Sequence, residues 1–497
     1  MASIDDKEFP VVSKHGQTTG DDEAAKVFAQ YDGPLEWTEQ EEKTLRRKID
    51  WKLIPIMCFT SALQYYDKAM LGQAVLFGMM QELDLRKGDR YSMASSTFYL
   101  GFVAGSYPAV ILAQRYPLER VTCGIVTLWG ICLLLTITCH NYQALYAQRF
   151  FLGFLESGVS PLFMLMVGSW YRKDEQAFRM GAWYSLASWS AVVAPLINYG
   201  IGQINAVLAP WRWMYIVAGI ITILWGAALL FILPPDPTRA SGFTERERYL
   251  AVARLRSNNS GVRNTKFKVG QAKELLCDLK FWLMFFIATL SLITNGPVSS
   301  FAPLIIQGWG YTSLQTLLLV MPAGVWVGSC TLTATWLAMR YSHLNIRTYI
   351  AFFTQCFTIL SAALLWKLPR SEKGGLFFSI YTLSTYGAGY GVIMGLQVAN
   401  NSGYTKRSLA SSGLFVGYCL GNFIGPMVYL QRESPVYNTG FTIVTVASAL
   451  AAVLILVYRY VCIWENRRRD RTGTAEGYDH AYEDPTDKEN PQFRYIY

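Results

Sequence analysis

Charged residues are scarce in this sequence: Asp, Glu, Lys and Arg make up 16% of its 497 positions, whereas 52% are hydrophobic. A soluble protein of this length would carry nearer a quarter charged residues, so a soluble globular protein is excluded. The apolar residues form runs of about 20, long enough for a helix to cross a ~30 Å hydrocarbon core. The composition therefore predicts an all-α membrane protein with many spans.

Motifs of enzymes and of ATP-driven pumps are also missing. The sequence has no GxxxxGK[ST], no HExxH and no GxSxG, which argues against a P-loop pump, a zinc protease and a serine hydrolase. The nine cysteines occur singly and without a CxxC, so neither a disulfide framework nor a zinc site is expected. None of the four histidines lies deep in an apolar run. We therefore expect no enzyme activity, no metal and no cofactor.

Twelve predicted spans form two groups of six. They cover, to within several residues, 51–75, 91–114, 120–139, 143–170, 180–205, 212–233, 281–305, 315–339, 347–367, 376–397, 408–430 and 438–462. The predicted domains are a tail at 1–50, a six-helix bundle at 51–233, a linker at 234–280, a second bundle at 281–462 and a tail at 463–497. The hydrophobic positions of the linker fit one or two amphipathic helices beside the membrane. Segments 1–45 and 465–497 are expected to be flexible.

Lys and Arg residues concentrate before the first span (TLRRKID), in the linker, and after the last span (RYVCIWENRRRDR). With twelve spans these segments share one side, which the positive-inside rule assigns to the cytosol, together with both termini. The loop RKGDR at 86–90 disagrees, although neighbouring acids dilute its charge. No signal peptide is visible, so the first span must act as its own signal. The plasma membrane is the expected location.

The formal net charge of +9 comes from cations scattered along the membrane edges. A basic face for nucleic acid is therefore the weaker explanation, and no nucleic-acid partner is expected. The expected partners are the lipid bilayer and a small anionic solute, and the protein is expected to be a monomer.

Two six-helix halves joined by a long linker are the outline of a secondary transporter, whose bundles rock about a site near the midplane. The eleventh predicted span carries Gly413, Gly417, Gly421 and Gly425 on one helix face. Small residues at this spacing allow two helices to approach closely and to slide. Static close packing is the alternative explanation of this stripe.

Four charged residues lie inside predicted spans: Asp67 and Lys68 in the first, and Arg149 and Glu156 in the fourth. A charge at membrane depth costs roughly 2.5–3.5 kcal/mol on insertion scales, so such residues mark substrate or proton pathways. At 1.5 Å per residue, Asp67 lies ~24 Å and Glu156 ~21 Å from the cytosolic end, so they could share a cavity. Lys68 could instead pair with Asp67 or extend to the membrane surface. Arg149 could tether helices by binding Glu156 or a backbone carbonyl.

Several segments, in order, resemble a known family. LRRKIDWKLIPIM followed by QYYDKAMLGQA, RFFLGFLESGVSPLFMLMVGSWY, and ANNSGYTKRSLASSGLFVGYCLGNFIGP are the main ones. Over about residues 43–462 they resemble the major facilitator superfamily, and within it the fungal allantoate permease branch of the anion:cation symporter family. The loop AQRYPLERVTCG departs from the superfamily pattern, which usually has an acidic residue and a glycine there.

The resemblance implies import of an organic anion by twelve helices in two bundles. It implies anion recognition by the basic residue of the first span and the arginine of the fourth, here Lys68 and Arg149. A guanidinium suits a carboxylate because it can bind both oxygens. Glu156 and Asp67 are the candidates for proton coupling, because a buried carboxyl beside a cation can exchange a proton near neutral pH.

Further candidates for lining a substrate site are Gln64, Tyr65 and Tyr66 on the first span and Asn295 on the seventh. Asn295 precedes Gly296-Pro297, a helix break that can free backbone groups for a ligand. Asn400 and Asn401 follow the tenth span. Aromatic rings near a cation could stack on a heteroaromatic acid. Interior packing is the alternative explanation for each tyrosine.

The sequence thus predicts proton-coupled import of a small organic anion, such as a ureide, nicotinate or another vitamin-like acid, with the proton gradient as the driving force. An exporter of a fungal secondary metabolite is the first alternative, because the same fold runs in either direction. A membrane sensor that binds the solute without net flux is the second.

Overall fold

The structure is a computed structural model that describes residues 31, 33–34, 36–204, 207–235, 237, 239–240, 242–255, 268–472 and 486–497. Its helices are α1 (Glu39–Ala74), α2 (Met79–Glu82), α3 (Arg90–Arg115), α4 (Leu118–Leu134), α5 (Tyr142–Glu156), α6 (Val159–Trp170), α7 (Lys173–Gly202), α8 (Pro210–Ile232), α9 (Glu245–Leu255), α10 (Val269–Leu276), α11 (Leu279–Ile293), α12 (Ala302–Gln307), α13 (Ser313–Arg340), α14 (Arg347–Lys367), α15 (Lys373–Thr382), α16 (Tyr386–Ala399), α17 (Tyr404–Met427) and α18 (Asn438–Thr472). The prediction of an all-α membrane protein is confirmed.

Among the described residues, eight helical segments are long and apolar enough to cross a membrane: Arg90–Ala113, Leu118–Thr138, Tyr142–Trp170, Pro210–Ile232, Leu279–Gln307, Ser313–Arg340, Arg347–Lys367 and Asn438–Arg471. The other four predicted spans coincide with α1, α7, the pair α15 and α16, and α17. Both α1 and α17 begin with charged and polar residues. That these four also cross the membrane stays a prediction.

Local sequence explains where several helices begin and break. α1 begins at a capping box in which Glu41 N donates to Thr38 Oγ1 and Thr38 N donates to the Glu41 carboxylate. α5 ends at Glu156, and α6 starts only after Ser157 and Gly158. A π-helical turn at Pro297–Phe301 interrupts the seventh predicted span, at the break expected there, because Pro297 has no backbone N–H to donate.

The helices pack in the same order in each half. In the first bundle (residues 39–232), α1 packs on α7, α3 on α5 and α4 on α8. In the second bundle (residues 279–472), the corresponding pairs are α11 with α17, α13 with α16 and α14 with α18. The most extensive contacts between the bundles are α3 with α17 and α7 with α13, and α1 also contacts the Pro297–Phe301 turn and α12. The central region is therefore lined by helices from both bundles.

The glycines of α17 pack inside the second bundle. A methyl group at Gly421 would lie 2.3 Å from the Thr289 carbonyl oxygen, and one at Gly425 would lie 2.5 Å from that of Ile293. Both carbonyls belong to the seventh predicted span, so the stripe provides close contact with a neighbour in its own bundle.

The two helices of the linker bind to different bundles. On the first bundle, Lys48 of α1 forms an ion pair of 2.7 Å with Glu247 of α9. On the second bundle, the side-chain oxygen of Gln271 in α10 accepts hydrogen bonds from the backbone N–H groups of Thr405 and Lys406. We call the end of the bundles that carries α9 and α10 the linker side, and the opposite end the far side.

Hydrogen bonds join the bundles on the far side. Ser95 Oγ and Ser300 Oγ are 2.7 Å apart, and Ser96 Oγ donates to the Phe423 carbonyl at 2.7 Å. Other such bonds run from Tyr91 to Ser300 O, from Ser92 to Tyr429 O and from Ser313 to Leu76 O. Uncharged hydroxyl groups therefore close the far side of the molecule.

The C-terminal region differs from the flexible tail expected over 465–497. α18 continues to Thr472, and residues 486–497 pack against the linker side of the second bundle. Arg469 donates hydrogen bonds to the carbonyls of Asn490 and Phe493, and Tyr495 is buried. Aromatic residues near the end of the chain supply the apolar surface that makes this packing favourable.

Candidate functional site

Glu156 lies at the break between α5 and α6. Its backbone carbonyl accepts a hydrogen bond of 3.1 Å from Nε2 of Gln64 in α1. Its side chain is buried, and the oxygen Oε1 has no hydrogen-bond partner. The structure therefore brings together Gln64 and Glu156, both predicted site residues. The Gln64 side chain contacts the backbone carbonyl of Glu156.

Asp67 is fully buried inside the first bundle. The Trp129 indole faces its carboxyl group, and Glu156 and Arg149 act on that group electrostatically. Neither Asp67 oxygen nor the Trp129 N–H makes a hydrogen bond of normal geometry. A buried polar group without a partner is costly, so this cluster is a candidate site for a proton or for an ordered water.

Arg149 is also buried, but it is not paired with Glu156. Within the described residues no ion pair joins these two side chains. The guanidinium carbon lies 4.9 Å from the centre of the Phe98 ring, and the nitrogens Nε and Nη1 have no hydrogen-bond partner. The alternative that Arg149 and Glu156 tether each other is therefore not realised in this conformation, because the guanidinium turns to an aromatic face.

Lys68 follows Asp67 directly but points to the other bundle. Its ammonium group donates to the Tyr418 hydroxyl at 3.1 Å and lies 5.1 Å from the centre of the Tyr99 ring. In the described part of the chain no carboxylate lies within 4 Å of this ammonium group. The alternative of an ion pair with Asp67 is therefore not observed, and Lys68 is a cation at the bundle interface that acts electrostatically on Glu156.

Asn295 is the centre of a hydrogen-bond network beside Lys68. Its amide nitrogen donates to Asn422 and, at 3.3 Å, to the Tyr99 hydroxyl, and its oxygen accepts from the Tyr386 hydroxyl. Asn422 in turn donates to the Tyr418 carbonyl at 2.8 Å. The network joins α3 of the first bundle to α16 and α17 of the second.

The two tyrosines before Asp67 have different surroundings. Tyr65 interacts electrostatically with Lys68 and Tyr386, so it belongs to the central network. Tyr66 donates to Asn198 at 2.8 Å inside the first bundle, away from that network. The interior-packing alternative therefore applies to Tyr66.

Asn400 has another role than the one expected. Its side chain donates to Tyr458 and to the Ile496 carbonyl and accepts from the Ile496 N–H. Asn401 donates to the Gln397 carbonyl at 2.7 Å. Asn400 therefore holds the end of the chain and does not line the central network.

Sequence reasoning missed Tyr99, Tyr386, Tyr418, Asn422 and Trp129. The chain has 30 tyrosines and 15 tryptophans, so residue type alone does not single out these four aromatic residues. Asn422 did carry a signal, since it is an amide in the apolar, glycine-striped eleventh span.

Comparison with known proteins gives a consistent result. The profile of the Major Facilitator Superfamily matches residues 57–426. An uncharacterized transporter from Schizosaccharomyces pombe is 33% identical over 482 residues, covering 96% of this chain and 90% of that protein. An allantoate permease from Saccharomyces cerevisiae is 30% identical over 491 residues, covering 95% and 90%. The predicted resemblance to the fungal allantoate permease branch is thus confirmed, as is the prediction that the chain is not an enzyme.

The fold has a counterpart among solved structures. The inward open conformation of the xylose transporter XylE from E. coli matches with a TM-score of 0.64, covering 82% of this chain and 96% of that chain. At 12% sequence identity this likeness concerns the fold alone.

Proposed function

This chain belongs to the major facilitator superfamily, and we propose that it imports a small organic anion together with protons by alternating access. It works as a monomer in the plasma membrane, without a cofactor, and the proton gradient drives uptake. Twelve spans cross the bilayer, the linker side faces the cytosol, and both termini are cytosolic. The Lys and Arg residues of α1, the linker and α18 support this orientation.

The division of labour between Asp67 and Lys68 carries this proposal. Consecutive residues on a helix point about 100° apart, so neighbours in sequence can face different surroundings. Asp67 faces the buried polar cluster of the first bundle, whereas Lys68 faces Tyr418 of the second. One helix thus presents an acid for protons and a cation for an anion, and Glu156 interacts electrostatically with both groups.

We assign this conformation to an inward-facing state of the proposed cycle. Hydroxyl groups of α3 close the far side by bonding to Ser300 and Phe423. In the proposed site Lys68 and Arg149 attract the anion, and Tyr99 and Tyr418 pack around it. In the outward-facing state the far-side hydrogen bonds break, and the external solution reaches Asp67 and Glu156.

Protons from the external solution then bind to Asp67 and Glu156 and neutralise their charges. Burying an ionised carboxylate without a partner is costly, so protonation of Asp67 and Glu156 favours the conformation in which both carboxyl groups are buried. The anion binds to Lys68, the bundles rock, and the anion and the proton leave on the cytosolic side. A proton gradient thereby drives accumulation, because each cycle moves both solutes in the same direction.

The central network supports the proposed substrate class. Lys68 binds a carboxylate, and the amides of Asn295 and Asn422 can exchange hydrogen bonds with polar groups of the solute. A ureide fits these groups, and the similarity to an allantoate permease supports that choice. Nicotinate and pantothenate also carry a carboxylate and a polar portion.

The test is transport by purified protein in liposomes. Radiolabelled allantoate, nicotinate and pantothenate are offered with and without an imposed pH gradient, acid outside. We expect accumulation of one of them above equilibrium only with the gradient. Lys68→Ala should abolish this uptake, whereas Lys43→Ala, at a 55% exposed lysine of the same helix, should leave it unchanged.

Other outcomes contradict the proposal in distinct ways. If accumulation persists after the pH gradient is dissipated, the proton is not part of the mechanism. Loss of preloaded solute from whole cells points to an exporter, and binding without flux points to a sensor. Wild-type uptake by Lys68→Ala removes the lysine from the site.

A further inference from the structure

Residues 486–497, which we call the C-terminal clasp, form a built interface with the linker side of the second bundle. Tyr495 is 2% exposed, and the Lys280 ammonium lies 4.2 Å from the centre of its ring. Asn466 exchanges two hydrogen bonds with the Tyr495 backbone, and Asn400 exchanges two with that of Ile496. The clasp thus bridges α11, the loop after α16, and α18.

A buried lysine lies beneath the clasp. Lys406 is completely buried and forms ion pairs of 2.7 Å with Asp487 of the clasp, 2.8 Å with Glu274 of α10 and 3.2 Å with Asp278. Burial opposes ionisation of Asp278, but Lys280, Lys406 and Lys488 outweigh it and lower the pKa of this carboxyl. The clasp therefore docks into a cluster in which the buried Lys406 is shared by three carboxylates.

Thr486 lies at the edge of this cluster. Its hydroxyl donates to Glu274 Oε2 at 3.0 Å and accepts from the Glu489 N–H at 3.1 Å, while its own N–H donates to the Glu489 carboxylate. The side chain is fully buried while the clasp is docked. The surrounding sequence, EDPTDKE, places acidic residues on both sides of the threonine.

We propose that Thr486 is a phosphorylation site for an acid-directed serine/threonine protein kinase, and that a phosphate there releases the clasp. The Thr486 oxygen attacks the γ-phosphorus of ATP, the bond to the bridging oxygen of ADP breaks, and the catalytic aspartate of the kinase accepts the hydroxyl proton. The product carries about −1.5 to −2 charges. It cannot donate to Glu274, and it would lie against Glu274 and near Asp487, where the neighbouring Lys406 already pairs with three carboxylates.

The docked clasp protects its own site. A kinase reaches Thr486 only in the released state, because the side chain is buried when docked. The added charge then disfavours redocking, so phosphorylation traps the released population. Kinases and ATP are cytosolic, so this role in the cell rests on the proposed cytosolic placement of the linker side.

The first test is phosphorylation of the full-length purified protein in detergent, with ATP and a kinase of the casein kinase 2 class, read by mass spectrometry. We expect phosphate on Thr486 and none on this peptide in Thr486→Val. Tyr495→Ala should release the clasp and speed incorporation of phosphate roughly tenfold, which corresponds to about 1.4 kcal/mol. If the Tyr495→Ala protein fails to fold, Asn466→Ala takes its place. Absence of phosphate on Thr486 in a variant with a released clasp would overturn the proposal.

The second test measures release directly. Thr486→Glu and a matched control, Ser342→Glu, add a charge on the same side of the protein, but Ser342 is exposed and outside the clasp. Carboxypeptidase should remove Tyr497 and Ile496 from Thr486→Glu much faster than from the control and the wild type. Equal protection in all three proteins would show that charge at Thr486 does not open the clasp. Neither test requires transport activity, so failure here leaves the proposed import untouched.

Discussion

Lys68 and Tyr418 are 350 positions apart in the sequence and meet across the bundle interface, where the ammonium group donates to the phenol oxygen at 3.1 Å. The Tyr418 ring also packs nearly parallel to Phe415, at 10° and 6.1 Å between ring centres. The hydroxyl holds the ammonium group in place, while the stacked rings hold the hydroxyl. Because the partners belong to different bundles, this contact changes in the proposed cycle when the bundles rock.

Tyr418→Phe tests this contact. The ring and its stacking remain, but Lys68 loses its acceptor, and hydrogen bonds to charged groups contribute about 1.5–3 kcal/mol. We expect the KM for the anion to rise roughly tenfold with little change in maximal rate, measured by initial uptake in liposomes. Tyr460→Phe, at a 69% exposed tyrosine, is the control. An unchanged KM would mean that the hydroxyl does not position Lys68.

Glu156→Gln separates proton coupling from substrate binding. The amide keeps the shape of the side chain and the backbone contact with Gln64, but it cannot take up a proton. We expect counterflow exchange of labelled anion to persist while accumulation driven by a pH gradient is lost. Uphill uptake along the gradient in this variant would exclude Glu156 from coupling and leave Asp67 as the candidate.

Arg149→Leu distinguishes anion recognition from packing. Leucine keeps apolar contact with the Phe98 ring but removes the charge. If the guanidinium attracts the anion, uptake should fall to background. The amount of folded protein extracted from the membrane, measured by size-exclusion profiles, should stay normal. Wild-type uptake would show that Arg149 serves only to pack the first bundle.

A disulfide across the far side should lock the transporter. Ser95 Oγ and Ser300 Oγ are 2.7 Å apart and belong to different bundles. Oxidised Ser95→Cys/Ser300→Cys should lose uptake because the far side cannot open, and reductant should restore it. Each single variant is a control for disulfides formed with any of the nine native cysteines. Full uptake by the cross-linked protein would mean that this contact persists throughout the cycle.

Helix packing inside the first bundle predicts a stability effect. A methyl group at Gly101 would lie 1.9 Å from the Phe150 carbonyl oxygen, whereas one at Gly391 would meet no atom within 4 Å. Gly101→Ala should therefore lower the free energy of unfolding by about 1–3 kcal/mol, as overpacking does. Gly391→Ala should be nearly neutral. Thermal unfolding in detergent compares them, and equal midpoints would contradict the close approach of α3 and α5.

Part of the site follows from the sequence for a simple reason. A charge inside an apolar run is conspicuous wherever the chain folds, so Asp67, Lys68, Arg149 and Glu156 could be identified without coordinates. The same holds for Asn295, since Gly-Pro after it predicts a break. The clasp could not be anticipated, because a polar C-terminal segment has the composition of a flexible tail until its partners are known.

The sequence by itself determined that the chain is a helical membrane protein, because hydrocarbon requires long apolar helices and makes each charge within them costly. It also determined the family through segments kept in order. Only the tertiary structure decided that Asp67 faces Trp129 while Lys68 faces Tyr418, and that Arg149 turns to Phe98 and away from Glu156. The direction of a side chain depends on neighbours hundreds of residues away, and only the packing of the two bundles brings those neighbours together.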